Sequence, residues 1–522
     1  MTFPWLTALA LLPLVGSVAL IFIKGTAAKQ VALASSLITA AIAVVLASQF
    51  RLGGGMQFVE QVSWIKPLGA YYALGLDGIG LTLVLLVVIV TPVVIAASWH
   101  DADVEAAPGA IPVGHVPASV AAPKYDARLF FALVLAVETS ALYLFLATDV
   151  FLFYVFFEVI LIPMYFLIGG FGGARRAYAA SKFLIFGLLG GFVMLASVIG
   201  LYVLSAGDGT PSYLLSDLSQ LDIATGTGRW LFLGFMFAFA IKAPLVPLHT
   251  WLPDAAEESS AGGATMMVGV MDKIGTFGMI RFCLGLFPEA SQWATPVVLG
   301  LAVLSIVYGA ILAVGSRDLM RFVAYTSISH FGFIVLGIFA FTSQSLVGST
   351  LYMLNHGLST AALFLVAGYL IKRRGSRDIN AFGGVQKVAP VLAGFLLFAG
   401  LSTLSLPGLS SFVSEFMVLA GTFSRYPVYA VVSTLAIVLA ALYILIMYQR
   451  TMTGPVTPMV EETVTDLNGR ERWALAPLVV LILALGVFPK PMLDVIEPAV
   501  KATMQQVGVT DPQPKVSAEG GR

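Results

Sequence analysis

The chain has 522 residues; 59% are apolar and only 11% charged, with 28 Lys+Arg balanced by 28 Asp+Glu. Soluble globular chains run near about 25% charged, and a soluble protein of this length has a large surface to coat with polar groups. Together with a mean hydropathy of +0.94, this excludes a soluble protein and points to an integral membrane protein. Zero net charge leaves no electrostatic footprint for nucleic acid. A single cysteine, Cys283, excludes an intrachain disulfide, a cysteine-ligated cluster and a structural zinc site built from this chain alone. Five scattered histidines argue against haem.

A bilayer core of roughly 30 Å needs about 20 apolar residues per helix. Fourteen such runs lie near 3–23, 29–50, 74–98, 129–148, 150–171, 177–205, 230–253, 262–286, 293–314, 319–341, 345–371, 388–423, 427–449 and 473–489. Their apolar character is nearly continuous, so helices are expected rather than the short alternating segments of barrel strands. The predicted class is an all-α membrane protein of about 14 transmembrane helices. The first run lacks a basic leader and is too long for a signal-peptide core, so it is expected to be a span.

Basic residues set the orientation. The odd-numbered loops hold 17 of the 28 Lys and Arg, among them Arg175, Arg176, Lys182, Arg321 and Arg377; the opposite side with both tails holds 9. The odd loops are therefore expected in the cytoplasm, with both termini outside. The remaining two, Lys242 and Lys273, fit no loop. The segments read as 1–99, three N-terminal spans; 100–128, a cytoplasmic loop rich in Pro (Pro108, Pro112, Pro117, Pro123), Ala and Gly; 129–286 and 293–449, two repeat units; 450–489, the last span; and 490–522, a polar outer tail.

Two spans carry breaks. The run 388–423 would be about 54 Å long as one helix, far more than a bilayer needs. It contains Leu404-Ser405-Leu406-Pro407-Gly408, where proline removes a helix hydrogen bond and glycine lowers helix propensity. The seventh run has Lys242-Ala243-Pro244-Leu245-Val246-Pro247. The breaks fall on spans seven and twelve, five apart, so equivalent helices would enter from opposite sides. That is the arithmetic of two inverted five-helix repeats, and broken helices at matching places point to a transport site. Two unrelated proline kinks are the alternative.

Charges inside a membrane cost at least ~2.5–3.5 kcal/mol each on insertion scales and persist when paired or used. Glu138, Glu158, Lys242, Asp272, Lys273, His330, His356 and Glu415 all fall within predicted spans. Glu158 and Lys242 could form a neutralising ion pair. Lys273 could be tied to Asp272, although neighbours in sequence point to different helix faces. The two histidines could be inert core residues, Glu415 could reach the outer surface, and Glu138 reads as structural. His249 and Asp254 are expected in a cytoplasmic loop, with a capping or gating role. Arg175 and Arg176 read as positive-inside anchors. No metal-ligand spacing is present. In the functional reading, burial disfavours the charged form and a nearby opposite charge restores it. A lysine whose carboxylate partner approaches or withdraws therefore switches its hold on a proton, and a row of such groups bridged by water and neutral histidine is a proton wire.

Several long stretches are specific. Phe157-Glu158-Val159-Ile160-Leu161-Ile162-Pro163-Met164-Tyr165-Phe166, the run from Ala240 through Lys242, Pro244, Pro247 and His249 to Ala255, Lys273-Ile274-Gly275-Thr276-Phe277-Gly278, Ala324-Tyr325-Thr326-Ser327-Ile328-Ser329-His330, Asn355-His356-Gly357 and Leu406-Pro407-Gly408 together resemble the subunit M family of bacterial NADH–quinone oxidoreductase, respiratory complex I. The resemblance covers roughly residues 70 to 450 and implies an antiporter-like, proton-translocating subunit. In it Glu158 pairs with Lys242, Lys273 is the central relay, His330 and His356 connect, and Glu415 sits on the second broken helix. Glu415 favours M over the sister subunits L and N, which usually carry lysine there. The resemblance implies no cofactor in this chain; NADH, FMN, iron–sulfur clusters and quinone are expected in partner subunits, with L-type and N-type subunits as neighbours in the bacterial plasma membrane. Two departures stand out: Ala256-Glu257-Glu258-Ser259-Ser260 after the Leu-Pro-Asp-Ala motif, and Asp272 where many members have an aliphatic residue. Both resemble the actinobacterial branch, which implies menaquinone. Rival readings are a subunit of a multi-subunit sodium/proton antiporter, a subunit of an energy-converting hydrogenase, and a structural spacer whose charges only hold helices in register.

Overall fold

The computed structural model describes residues 3–101, 103, 123–207 and 209–513. Most of the Pro-rich segment 100–128, with Pro108, Pro112 and Pro117, and the end of the tail, with Lys515 and Arg522, lie outside the described residues.

The chain opens with helices α1 (Trp5–Ala19) and α2 (Thr26–Gln49), followed by a hairpin of β1 (Gln57–Ile65) and β2 (Ala70–Leu76). Then come α3 (Gly78–Ala97), α4 (Ala127–Leu146), α5 (Val150–Val159), α6 (Leu161–Phe171), α7 (Arg176–Gly207), α8 (Thr225–Lys242) and α9 (Trp251–Glu258). Residues 261–284 form a helical stretch in which π-helical turns, Thr265–Met271 and Met279–Leu284, flank the α-helical α10 (Lys273–Gly278). The chain continues with α11 (Pro288–Gly315), α12 (Leu319–Phe339), α13 (Ser343–Arg374), α14 (Pro390–Thr403), α15 (Ser410–Arg425), α16 (Pro427–Met452), α17 (Gly469–Val487) and α18 (Lys490–Val507).

Among the described residues, nine helices are long and apolar enough to cross a membrane, or ten if the pair α17 and α18, bent by 72°, is one span. The shorter apolar helices include α1 and α14. Many long helices begin on a side-chain cap. Asp77, Asp126, Asp149, Asp318 and Thr342 each accept from backbone N–H groups of the first turn, and Asn468 with Glu471 forms a capping box. First-turn N–H groups have no partner inside the helix, and near hydrocarbon no water replaces one. A short polar residue directly before each apolar run therefore fixes where that helix starts.

The most buried helices are α12 and α13, each 94% buried over its apolar window. The α13 window is also the least apolar, with hydropathy 1.4, because it carries Ser349, Thr350, Asn355, His356 and Ser359, all buried. Polar groups on a helix enclosed by other helices avoid the lipid, so α13 is where polar chemistry can be placed. In contrast, α7 turns Ile185, Leu189, Phe192, Ile199 and Val203 outward, as a helix at the periphery of a membrane bundle does.

The structure adds detail to three of the expected segments. The chain is mostly helical, with one small two-stranded sheet. Residues 57–76 form an antiparallel hairpin with Val62 opposite Tyr72 and Ser63 opposite Tyr71, so the third apolar run begins as a strand and becomes helical only at Gly78. The run 150–171 is one candidate span, Val150–Phe171, with a local irregularity at Ile160 between α5 and α6. The tail after Pro489 is not merely a polar extension. It forms α18, with Ile496, Val500, Met504 and Val507 buried on one face, a stripe at three- and four-residue spacing.

The hairpin is tied to the start of α1 by one side chain. Glu60 on β1 accepts from Leu6 N (2.7 Å), Thr7 N (3.1 Å) and Thr7 Oγ1 (2.5 Å), acting as a cap supplied from a distant strand. Replacing Glu60 with Ala leaves two first-turn N–H groups unbonded, a loss of about 1–2 kcal/mol. Amide exchange of Leu6 and Thr7, followed by mass spectrometry, should accelerate by about tenfold or more; unchanged exchange would show that the cap does not hold this corner.

Candidate functional site

Lys242 is the last residue of α8. The chain leaves the helix through residues 243–250, with Pro244, Pro247 and a cis Val246–Pro247 bond, before α9 begins at Trp251. The break is supported by side chains: Trp251 Nε1 donates to Ile241 O (3.0 Å), and Val246 N donates to Ser305 Oγ (2.9 Å). The end of a half-helix presents unpaired carbonyls and the negative pole of the helix dipole, which favours an ammonium there. The Lys242 ammonium is buried, lies 4.5 Å from the centroid of the Phe157 ring and has no hydrogen-bond partner.

Glu158 follows Phe157 near the end of α5, and both its carboxylate oxygens also lack hydrogen-bond partners. Its room is made by Gly191 on α7, where an added Cβ would fall 1.4 Å from Glu158 Oε1. The closed Glu158–Lys242 ion pair is absent from this structure. The two groups act on each other electrostatically without contact. That arrangement leaves the carboxylate room to approach.

Lys273 is bound differently. Its ammonium donates to Val268 O (2.5 Å), at the π-helical turn before α10, and to His356 Nδ1 (2.8 Å) on α13. It is therefore not tied to Asp272, whose oxygens have no hydrogen-bond partner. The His356 and His330 rings lie 5.4 Å apart, centroid to centroid. His330 Nδ1 is 2.6 Å from Tyr352 Oη, Tyr352 Oη donates to Glu415 Oε2 (2.7 Å), and Ser405 Oγ donates to the same oxygen (2.6 Å). Because the tyrosine proton goes to Glu415, His330 donates through Nδ1. Because Lys273 is a donor, His356 accepts through Nδ1. Both histidines keep Nε2 without a partner, and the space between the two rings is the one gap in an otherwise hydrogen-bonded row.

The predicted residues thus fall into two groups. Lys242 and Asp272 are buried, and Glu158 is half-buried with both oxygens enclosed; none of the three has a hydrogen bond, whereas Lys273, His356, His330 and Glu415 are linked by them. The breaks at Pro244, Pro247 and Pro407 stand at the ends of α8 and α14, and Glu415 sits on α15 just beyond the second. Glu415 is buried and hydrogen-bonded inside the bundle, so it does not reach the surface. Glu138 on α4 is fully buried with neither oxygen hydrogen-bonded. Sequence reasoning missed Tyr352 and Ser405. Tyr352 lies four residues before His356 and so shares its helix face. Ser405 lies inside the Leu-Ser-Leu-Pro-Gly break with φ +61.

At the end of α8 that leads to α9, the expected loop is a helix. Asp254 on α9 pairs with Lys182 (2.6 Å) and with Arg321 on α12. Glu257 pairs with Arg321 (2.5 Å) and Arg175 (3.1 Å), and Glu258 with Arg377 (3.5 Å). Arg175 is therefore part of a network that clamps α9 between α7 and α12, more than a lipid-headgroup anchor. His249 is buried in the turn, its ring 5.3 Å from that of Tyr308. At the cap of α12, burial raises the Asp318 carboxyl to about 6 although it accepts from Met320 N and Arg321 N. Among the described residues no group of three His, Cys, Asp or Glu side chains could hold a metal ion.

Residues 147–441 match a family model described as NADH:quinone oxidoreductase/Mrp antiporter, TM. The chain is 51% identical to NADH-quinone oxidoreductase subunit M of Mycobacterium tuberculosis, over 98% of this chain and 96% of the relative. This chain belongs to the NADH-quinone oxidoreductase subunit M family. The Escherichia coli subunit M is 34% identical over 88% of this chain and 90% of its own length. Among solved structures, a chain of respiratory complex I from Thermus thermophilus superposes with a TM-score of 0.85, at 31% identity, covering 97% of this chain and all of that one. A chain of the Mrp complex from Dietzia, at 22% identity and a TM-score of 0.80, shares the fold. The buried row described above thus lies in a subunit M-family chain, almost wholly inside the matched segment.

Two substitutions test the geometry. Tyr352→Phe removes the only hydroxyl joining His330 to Glu415 and should slow coupled turnover of the assembled complex by about tenfold, on the order of 1.4 kcal/mol in barrier; wild-type turnover would show that the tyrosine is dispensable. Gly191→Ala places a methyl where the Glu158 carboxyl sits. Pumping should fall while assembly persists, as read by proton uptake into inverted vesicles and by native gel migration.

Proposed function

We infer that this chain is a proton-translocating membrane subunit of NADH:quinone oxidoreductase. It is part of an enzyme that couples redox chemistry to proton transfer, while its own residues move protons and carry no redox centre. The observation that carries the reading is the buried row Lys273–His356, His330–Tyr352–Glu415, hydrogen-bonded except between the two rings, in a chain with these relatives. Electron transfer in partner subunits, which hold NADH, FMN, iron–sulfur clusters and quinone, would draw Glu158 toward or away from Lys242. A charged Lys242 repels charge from Lys273. Lys273 then passes its proton to His356, and the row delivers it through His330 and Tyr352 to Glu415 and the outer side.

The architecture we propose has fourteen spans, with 129–286 and 293–449 as two inverted five-helix units, 1–99 before them and 450–489 as the last span. The interruptions at 243–250 and 404–409, each at the end of a half-helix, support it. Both termini would face outside a bacterial plasma membrane. Subunits of the L and N type would be the neighbours, against faces such as the outward stripe of α7.

Replacing Lys242 with Ala should abolish proton pumping while the complex still assembles and oxidises NADH with an artificial acceptor. Full pumping in that variant would sink the relay. Gentle purification of the tagged chain should bring down a large complex with deaminated-NADH:quinone activity. Recovery of small membrane partners alone, with sodium-dependent proton exchange, would instead make it an antiporter subunit.

A further inference from the structure

The relay just described does not use Asp272. This residue is fully buried, and both its oxygens lack a hydrogen-bond partner. A carboxyl in such a place is costly unless positive groups face it. Its direction can be read from its neighbours. Gly275, one turn on, packs so closely on the end of α8 that an added Cβ would lie 2.6 Å from Ala243 N and 2.7 Å from Phe239 O. Residues three apart share a helix face, so Asp272 faces the turn that ends in Lys242. Lys273 faces the other way. Gly269 before it approaches Gly357 O on α13, Thr276 after it donates to Met353 Sδ (2.9 Å), and Lys273 itself reaches His356. Asp272 acts electrostatically on both lysines. No hydrogen bond joins the lysines directly, since Lys242 has none and Lys273 gives its bonds to Val268 and His356.

We propose that Asp272 is a proton carrier between Lys242 and Lys273, a reading that rests on the relay above. The Lys242 ammonium gives one proton to the Asp272 carboxylate, leaving a neutral amine and a carboxylic acid. The acid gives that proton to a neutral Lys273 amine and returns to carboxylate. Only N–H and O–H bonds form and break, and no electrons are exchanged. Water or side-chain rotation spans the distances longer than a hydrogen bond. Asp272 thereby joins the half of the row without hydrogen bonds to the half that has them.

The test uses the intact complex in inverted vesicles. Asp272→Asn keeps size and hydrogen-bonding capacity but cannot carry a proton. Protons pumped per electron should fall by about tenfold, while NADH oxidation by an artificial acceptor and native gel migration stay unchanged. Asp272→Glu should restore pumping. Infrared difference spectra during turnover should show a protonated-carboxyl band that is lost in Asp272→Asn and shifted in Asp272→Glu, a signature that a purely structural carboxylate would not give. If the Asn variant fails to assemble, the Glu variant decides: a spectrum identical to wild type overturns the proposal. Wild-type pumping in Asp272→Asn also overturns it. If Lys242→Ala still abolishes pumping in that case, the relay stands without Asp272. If Lys242→Ala pumps fully as well, the relay itself has failed.

Discussion

The structure depends on one constraint: an ionisable group enclosed by apolar helices must be paired, hydrogen-bonded or used. Away from water the charged form loses its solvation, and only a neighbour can replace it. This chain places acids, lysines and histidines in such surroundings along α8, α10, α12, α13 and α15, and encloses the Glu158 oxygens of α5 as well. The broken helices answer the same constraint. Where α8 and α14 end, carbonyls and N–H groups are released, and the side chains of Trp251 and Ser305 take up part of that bonding capacity at the first break.

The two halves of the row meet the constraint in different ways. Lys273, His356, His330, Tyr352 and Glu415 satisfy most of their polar atoms with one another, which fixes tautomers and directions. Glu158, Lys242 and Asp272 satisfy none of theirs through hydrogen bonds, so their charges are held by field alone. A group held by field is sensitive to movement of its neighbour, whereas a hydrogen-bonded row has its directions fixed. In the proposed relay, the first group would respond to movement of its neighbours and the second would pass the proton on. The ion-pair network of α9 with Lys182, Arg321 and Arg175 ties the broken helix to both flanking elements.

Much of the site was legible because membrane burial makes charge conspicuous. Glu158, Lys242, Lys273, His330, His356 and Glu415 stand out in apolar runs, and Pro244, Pro247 and Pro407 mark the breaks. Tyr352 and Ser405 did not stand out, since tyrosine and serine are tolerated in membrane helices whether or not they conduct. The hairpin at 57–76 was hidden by a search for long apolar runs, and α18 by the polar average of a tail whose apolar residues recur every three or four positions.

The amino-acid sequence by itself determined a helical membrane protein, the breaks at Pro244, Pro247 and Pro407, the family, and which ionisable residues fall inside apolar runs. These follow from composition, proline positions and local motifs, which act over one helix at a time. Only the tertiary structure decided that Glu158 and Lys242 stand apart, that Lys273 bonds His356 rather than Asp272, and that Tyr352 links His330 to Glu415. Each of those depends on the rotation of one helix against another, set by contacts such as Gly275 on the end of α8 and Gly191 beside Glu158. Helix rotation is a property of packing between segments far apart in the chain, and no local pattern encodes it.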